Sequence, residues 1–102
     1  MIHVVAIIIA KPGQRGAILE AFHANVATVH AEHGCIEYVP VIDLPDGGTI
    51  QTPIGEDGLM VIEKWESVEA LRAHAAAPHM VAYSAKIRDL VASRAIHVLS
   101  PA

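Results

Sequence analysis

The amino-acid sequence predicts one α+β domain in the split βαβ arrangement: a four-stranded antiparallel sheet with its helices on one face, in the order β-α-β-β-α-α-β. Three observations carry this. IHVVAIIIA at 2–10 and LMVIEKW at 59–65 are rich in strand formers and apolar at odd and even positions alike. Two other segments switch to helical spacing, one after the first strand and one after LMVIEKW. At 102 residues the chain has room for one core, so residues 1–102 form a single domain.

The first strand, 2–10, ends at the turn KPG, 11–13. A helix then runs to His33, with Ile18, Leu19, Phe22, Val26 and Val29 on one stripe, and Gly34 is expected to stop it in a left-handed conformation. CIEYVPVID at 35–43 reads as the second strand, with Pro40 favouring an edge or a bulge. Residues 44–58 hold two prolines and four glycines, and a connection this long reads as a lid or an interface arm. After the third strand, 59–65, Ser67 is placed to cap a helix that ends near Ala77, with Glu69 suiting its positive end. Pro78 opens another helix carrying Met80, Tyr83, Ile87 and Leu90 at helical spacing. RAIHVL at 94–99 closes the sheet as the fourth strand.

Composition narrows the function classes. With 53% hydrophobic and 18% charged residues, the chain has more apolar surface than one sheet face and its helices use, which implies a second copy covering the other face. Net charge is −4 and the Lys and Arg residues are scattered, so no nucleic-acid partner is expected. The longest apolar run lies between His3 and Lys11, well short of the roughly 18 residues of a membrane span. The start lacks a basic segment before its apolar run, so a cytoplasmic address and no membrane partner are expected. Cys35 is the only cysteine, which excludes an internal disulfide and favours an inert strand thiol over a reactive one. His30, His33 and Glu37 invite a metal reading, but no third ligand is set by spacing and a solvated helix end is favoured, so no metal is expected.

The chemistry-bearing stretch is EKWESVEALRAHAAAPHM at 63–80, with the one tryptophan and two of the seven histidines. Together with KPG at 11–13 and EHGCIEY at 32–38, the residues Glu63, Trp65, Ser67, Ala70, Leu71, His74 and His79 resemble the antibiotic biosynthesis monooxygenase family. The resemblance spans most of the chain. It implies a ferredoxin-like fold, a homodimer with sheets face to face in a dimeric α+β barrel, and a pocket between sheet and helices. It also implies oxidation of a small quinol or polycyclic phenol by dioxygen, without metal, flavin or haem. The 44–58 segment exceeds that of compact members, so their pocket rim is not carried over. A haem-degrading branch of the fold uses an asparagine on the first strand, a tryptophan on the helix after the third and a later histidine. Here the first strand has no Asn and the two later positions resemble His74 and Ser84, which disfavours that chemistry.

Oxygenation without a cofactor needs an ionised phenol, because a phenolate gives an electron to dioxygen far more readily than a phenol. Reference pKa values of about 10 for a phenol and about 6.5 for histidine put the transfer uphill by roughly 5 kcal/mol. A more acidic polycyclic hydroquinone and donors aimed at the developing oxyanion close that gap. His74 and His79 are the candidate catalytic residues, each also readable as a structural contact, His74 to a neighbouring carbonyl and His79 at a helix start. Trp65, Glu63, Tyr83 and Phe22 are the candidate substrate-binding residues, with core packing the alternative for both aromatics on helical stripes. Two further readings stay open: an isomerase or decarboxylase, which needs the base but no dioxygen, and a non-catalytic small-molecule-binding dimer.

Overall fold

The computed structural model describes all 102 residues. Its elements are β1 (Ile2–Ala10), α1 (Arg15–His30), β2 (Cys35–Val41), β3 (Gly58–Trp65), α2 (Val68–Ala76), α3 (Pro78–Ile87) and β4 (Val91–Leu99), with single 3₁₀ turns at Gly48–Ile50 and Arg88–Leu90. The strands form one antiparallel sheet in the order β2-β3-β1-β4, covered on one face by the helices, which is the ferredoxin-like fold. The two strands that are apolar on both faces, β1 and β3, are the central pair, in register from Ile2↔Trp65 to Ile9↔Gly58.

Strand alternation divides the sheet. Val4, Ala6, Ile8 and Ala10 of β1 and Leu59, Val61, Glu63 and Trp65 of β3 are buried under the helices. Val5, Ile7, Ile9, Met60 and Ile62 occupy the other face and are only half-buried. From α1 the core receives Ile18, Ala21, Phe22 and Val29, four positions near one face of the helix. Trp65, Phe22, Ile18, Leu59 and Val29 are the largest side chains fully removed from water, each contributing roughly 1.5–3 kcal/mol by burial. Ser67 caps α2 as its type predicts, its hydroxyl accepting from the Ala70 N–H at 3.1 Å, and Pro78 stands in the first turn of α3.

Three boundaries differ from the sequence reading. The first helix ends at His30 and not at His33, because Ala31 and Glu32 N–H groups turn back onto Ala27 and Val29 and close the last turn early. The second strand stops at Val41, since Asp43 leaves the ladder to accept from the Ile54 and Gly55 N–H groups at 2.9 and 3.0 Å. The segment 44–53 is thus closed at its base, where Arg15 also donates to the Gly55 and Gly58 carbonyls at 3.4 and 3.3 Å. The fourth strand begins at Val91, earlier than 94, through a pairing with Ala10 beyond an irregularity at Ile9/Ala10.

Gly34 does take up a positive φ, +82°, but it serves the turn into β2 more than the helix end. A Cβ here would lie 2.6 Å from the Ala70 Cβ, and the Gly34 carbonyl accepts from Glu66 N–H at 2.9 Å. The first turn of α2 is therefore pressed onto the α1–β2 turn at a point only glycine admits. Gly34→Ala is expected to lose about 1–2 kcal/mol from the left-handed backbone and about 1–3 kcal/mol from overlap with Ala70. Urea denaturation measures this, and a change within about 0.5 kcal/mol would show that the close approach constrains nothing.

Candidate active site

Between the sheet and α2 and α3 lies a cavity of about 500 Å³, lined mostly by apolar side chains. Val4, Ala6, Ile8 and Val61 make its floor, Phe22 and Tyr38 one side, and Leu71, Met80, Tyr83 and Ile87 its roof. Arg72, Arg94, Ile96 and Val98 border it where the residues are exposed to solvent. Two buried polar residues also reach the lining, Glu63 from the strand floor and His74 from α2.

These two belong to one connected cluster. The Trp65 indole N–H donates to Glu63 Oε1 at 2.9 Å, a bond between neighbours on one strand face. Glu63 thus finds its partner on its own strand. His74 Nε2 is 4.0 Å from Glu63 Oε1, and its Nδ1 is 2.8 Å from Glu32 Oε2. The same Glu32 oxygen lies 3.4 Å from His79 Nε2. Ring contacts complete the packing: His74 leans over Trp65 at a centroid distance of 4.6 Å and meets Tyr38 edge-on at 5.4 Å, while Tyr38 stacks on Phe22 at 4.9 Å.

The local fold explains each placement. Period-two alternation puts Glu63 and Trp65 on the helix-facing side of β3, and pairing sets Tyr38 of β2 directly beside Glu63. His74 lies one helical turn beyond Ala70, the residue that touches Gly34, so the close approach at Gly34 brings Glu32 within reach of His74.

Burial sets the charge states. It pushes the Glu63 carboxyl above its ordinary range; the Trp65 hydrogen bond and His74 act against this, and Glu32 adds to it. The Tyr38 phenol is driven far above its usual value, first by burial and then by Glu63, and Tyr83 is pushed up to about 12 by burial. Both tyrosines therefore stay protonated at neutral pH and can act only as neutral donors or acceptors. Burial, then Glu32 and Glu63, also raise the half-buried Cys35 thiol, which keeps it in its unreactive form.

Of the residues singled out by sequence, Glu63, His74, Phe22 and Tyr83 line the cavity together. Trp65 is fully buried behind His74 and supports the ring without reaching the lining. His79 borders a second cavity of about 260 Å³ between α1 and α3, and joins the cluster only through Glu32. His30 Nε2 donates to the Tyr38 carbonyl at 3.0 Å, and the His33 side chain is 95% exposed, so the two do not converge. Glu32 and Tyr38 were not among the predicted site residues. Alternation counted from Cys35 would put Tyr38 on the outer face, and only the register shift between Cys35 and Glu37 turns it inward beside Glu63; Glu32 lies in a turn, where no periodicity aims a side chain.

Residues 1–86 match the family described as antibiotic biosynthesis monooxygenase. The chain is 40% identical over 103 residues to "Probable quinol monooxygenase YgiN" of Escherichia coli K12, covering 99% of this chain and 98% of that one. Two solved structures superpose closely: Rv0793 from Mycobacterium tuberculosis, with TM-score 0.80, 27% identity and coverage of 99% and 94%, and PA3566 from Pseudomonas aeruginosa, with TM-score 0.80, 27% identity and coverage of 99% and 93%.

The raised Glu63 carboxyl gives a stability test. A carboxyl that holds its proton more tightly when folded contributes stability at low pH and loses it as pH rises from the ordinary carboxylate range through its folded value. Glu63→Gln keeps an oxygen acceptor for Trp65 and removes the titration. Thermal unfolding across a pH series should show the wild type losing ground to Glu63→Gln as pH rises through that window. Parallel curves would mean that Glu63 carries no such burden.

Proposed function

The chain belongs to the antibiotic biosynthesis monooxygenase family, and from that premise we propose that it oxidises a small quinol or polycyclic phenol with dioxygen, using no prosthetic group. The observation that carries the reading is His74, buried on the wall of an apolar cavity and held between two carboxyl groups. A flat aromatic ligand suits a lining of this shape and polarity. His74 takes the phenolic proton as general base. An apolar wall disfavours the phenolate that forms, so donors must meet it, and the protonated Tyr38 and Tyr83 hydroxyls stand in the same lining. Phe22 serves as an apolar wall, Glu63 as a polar anchor, and Trp65 as the support behind His74.

The balance needs no external reductant. A hydroquinone and dioxygen give a hydroxyquinone and water: the substrate gives up four electrons, two as the hydroquinone becomes a quinone and two as a ring C–H becomes C–OH, while one oxygen atom enters the ring and the other leaves as water with two hydrogens. The half-buried outer sheet face, with Val5, Ile7, Ile9, Met60 and Ile62, supports a homodimer formed sheet to sheet. No helix is long and apolar enough to cross a membrane.

Dioxygen uptake with naphthohydroquinols and anthrones, measured beside anaerobic controls and with metal and haem content determined on the same sample, tests the reaction. His74→Ala should lower the rate by about 10²- to 10⁴-fold with the fold intact, and His79→Ala should cost less, because His79 does not line the cavity. Turnover that persists without dioxygen would favour an isomerase or decarboxylase, and full activity of His74→Ala would remove it as the base. Light scattering at micromolar concentration should give twice the chain mass; a monomer would contradict the burial argument for the outer face.

A further inference from the structure

We propose that Glu32 is a positioning residue of this site: by accepting a hydrogen bond from His74, its carboxylate fixes the tautomer of that ring and leaves its basic lone pair on Nε2. The inference rests on His74 acting as the base and adds the group that makes it one. An ionised carboxylate has no proton to donate, so a ring nitrogen at bonding distance from it must carry the hydrogen. That nitrogen is Nδ1 in His74, at 2.8 Å. The unprotonated nitrogen of His74 is then Nε2, the one on the side of Glu63 and the cavity.

The surroundings support the assignment. Facing the His74 ring are Glu63 from β3, Tyr38 from β2, Glu32 from the turn and, across Glu32, His79 from α3. Glu32 is only 16% exposed, and its turn is fixed by the contact between Gly34 and Ala70, so the carboxylate is held and not free to swing. In the reaction the substrate O–H bond breaks and an Nε2–H bond forms, while Nδ1 keeps its hydrogen. The resulting imidazolium faces Glu32 across a charge-assisted bond of 2.8 Å. The opposite tautomer would present Nε2–H to the substrate and accept nothing.

The test is Glu32→Gln, whose amide can donate to Nδ1 and stabilise the wrong tautomer. With a naphthohydroquinol as substrate, kcat should fall by about 10²- to 10⁴-fold, and KM should stay within about twofold, because Glu32 does not line the cavity. Nitrogen-15 spectra of histidine-labelled protein should show His74 protonated on Nδ1 in the wild type and redistributed in Glu32→Gln. His33→Gln, at an exposed neighbour, is the control and should match the wild type. A lone pair on His74 Nδ1 in the wild type overturns the proposal even if Glu32→Gln fails to fold. Loss of activity in His74→Ala with an unchanged kcat in Glu32→Gln overturns the positioning role alone. Full activity in His74→Ala overturns the base reading and this inference with it.

Discussion

A buried imidazole must place two nitrogens at once, and the site is organised around how His74 does so: Nδ1 is bonded to Glu32, and Nε2 stays unbonded with Glu63 4.0 Å away. Its ring is 5% exposed, with one nitrogen toward Glu32 and the other toward Glu63. The partners come from a turn that packs on α2 through Gly34 and from a strand beneath the helix. Leaving Nδ1 dry and unmatched would cost about 1–3 kcal/mol, a large share of the margin of a domain this small. The docking of α2 onto the α1–β2 turn and the inward register of β3 are therefore coupled through one side chain.

The cavity lining divides its polar groups by what burial does to them. Tyrosine is neutral in water and stays neutral inside, so Tyr38 and Tyr83 can stand in an apolar wall without a compensating charge. Glu63 is the opposite case: a carboxyl in the sheet floor is tolerated because the indole of Trp65 donates to it and His74 lies close by. Phe22 stacks on Tyr38, and Tyr38 in turn meets His74 edge-on, so that the reactive nitrogen rests on packed rings and not on flexible side chains.

How much of this was legible in the sequence follows from which signals are local. Element order was readable because strand and helix periods differ, and Ser67 and Pro78 marked their helix starts by side-chain chemistry alone. Glu63, His74, Phe22 and Tyr83 fell to the same periodicities. Boundaries were less legible: Asp43 ended β2 by bonding to residues 54 and 55, across a loop no local pattern describes. Glu32 was hidden for the same reason, its partners being 42 and 47 positions away. Trp65 shows the limit of a face assignment, which tells that a residue points inward but not whether it meets a cavity or another side chain.

The closed base of the segment between β2 and β3 has a consequence for variation. Asp43 ties the chain to Ile54 and Gly55, and Arg15 ties that junction to α1, so the strands receive the same boundary whatever lies between. Residues 44–53 carry little of the core, and Ile50 at the tip is 96% exposed. Lengthening such a loop costs only about 0.6 kcal/mol per doubling. The tip is accordingly the place where this domain can accept inserted sequence, a peptide tag or a reporter, without disturbing the sheet register on which the cavity depends.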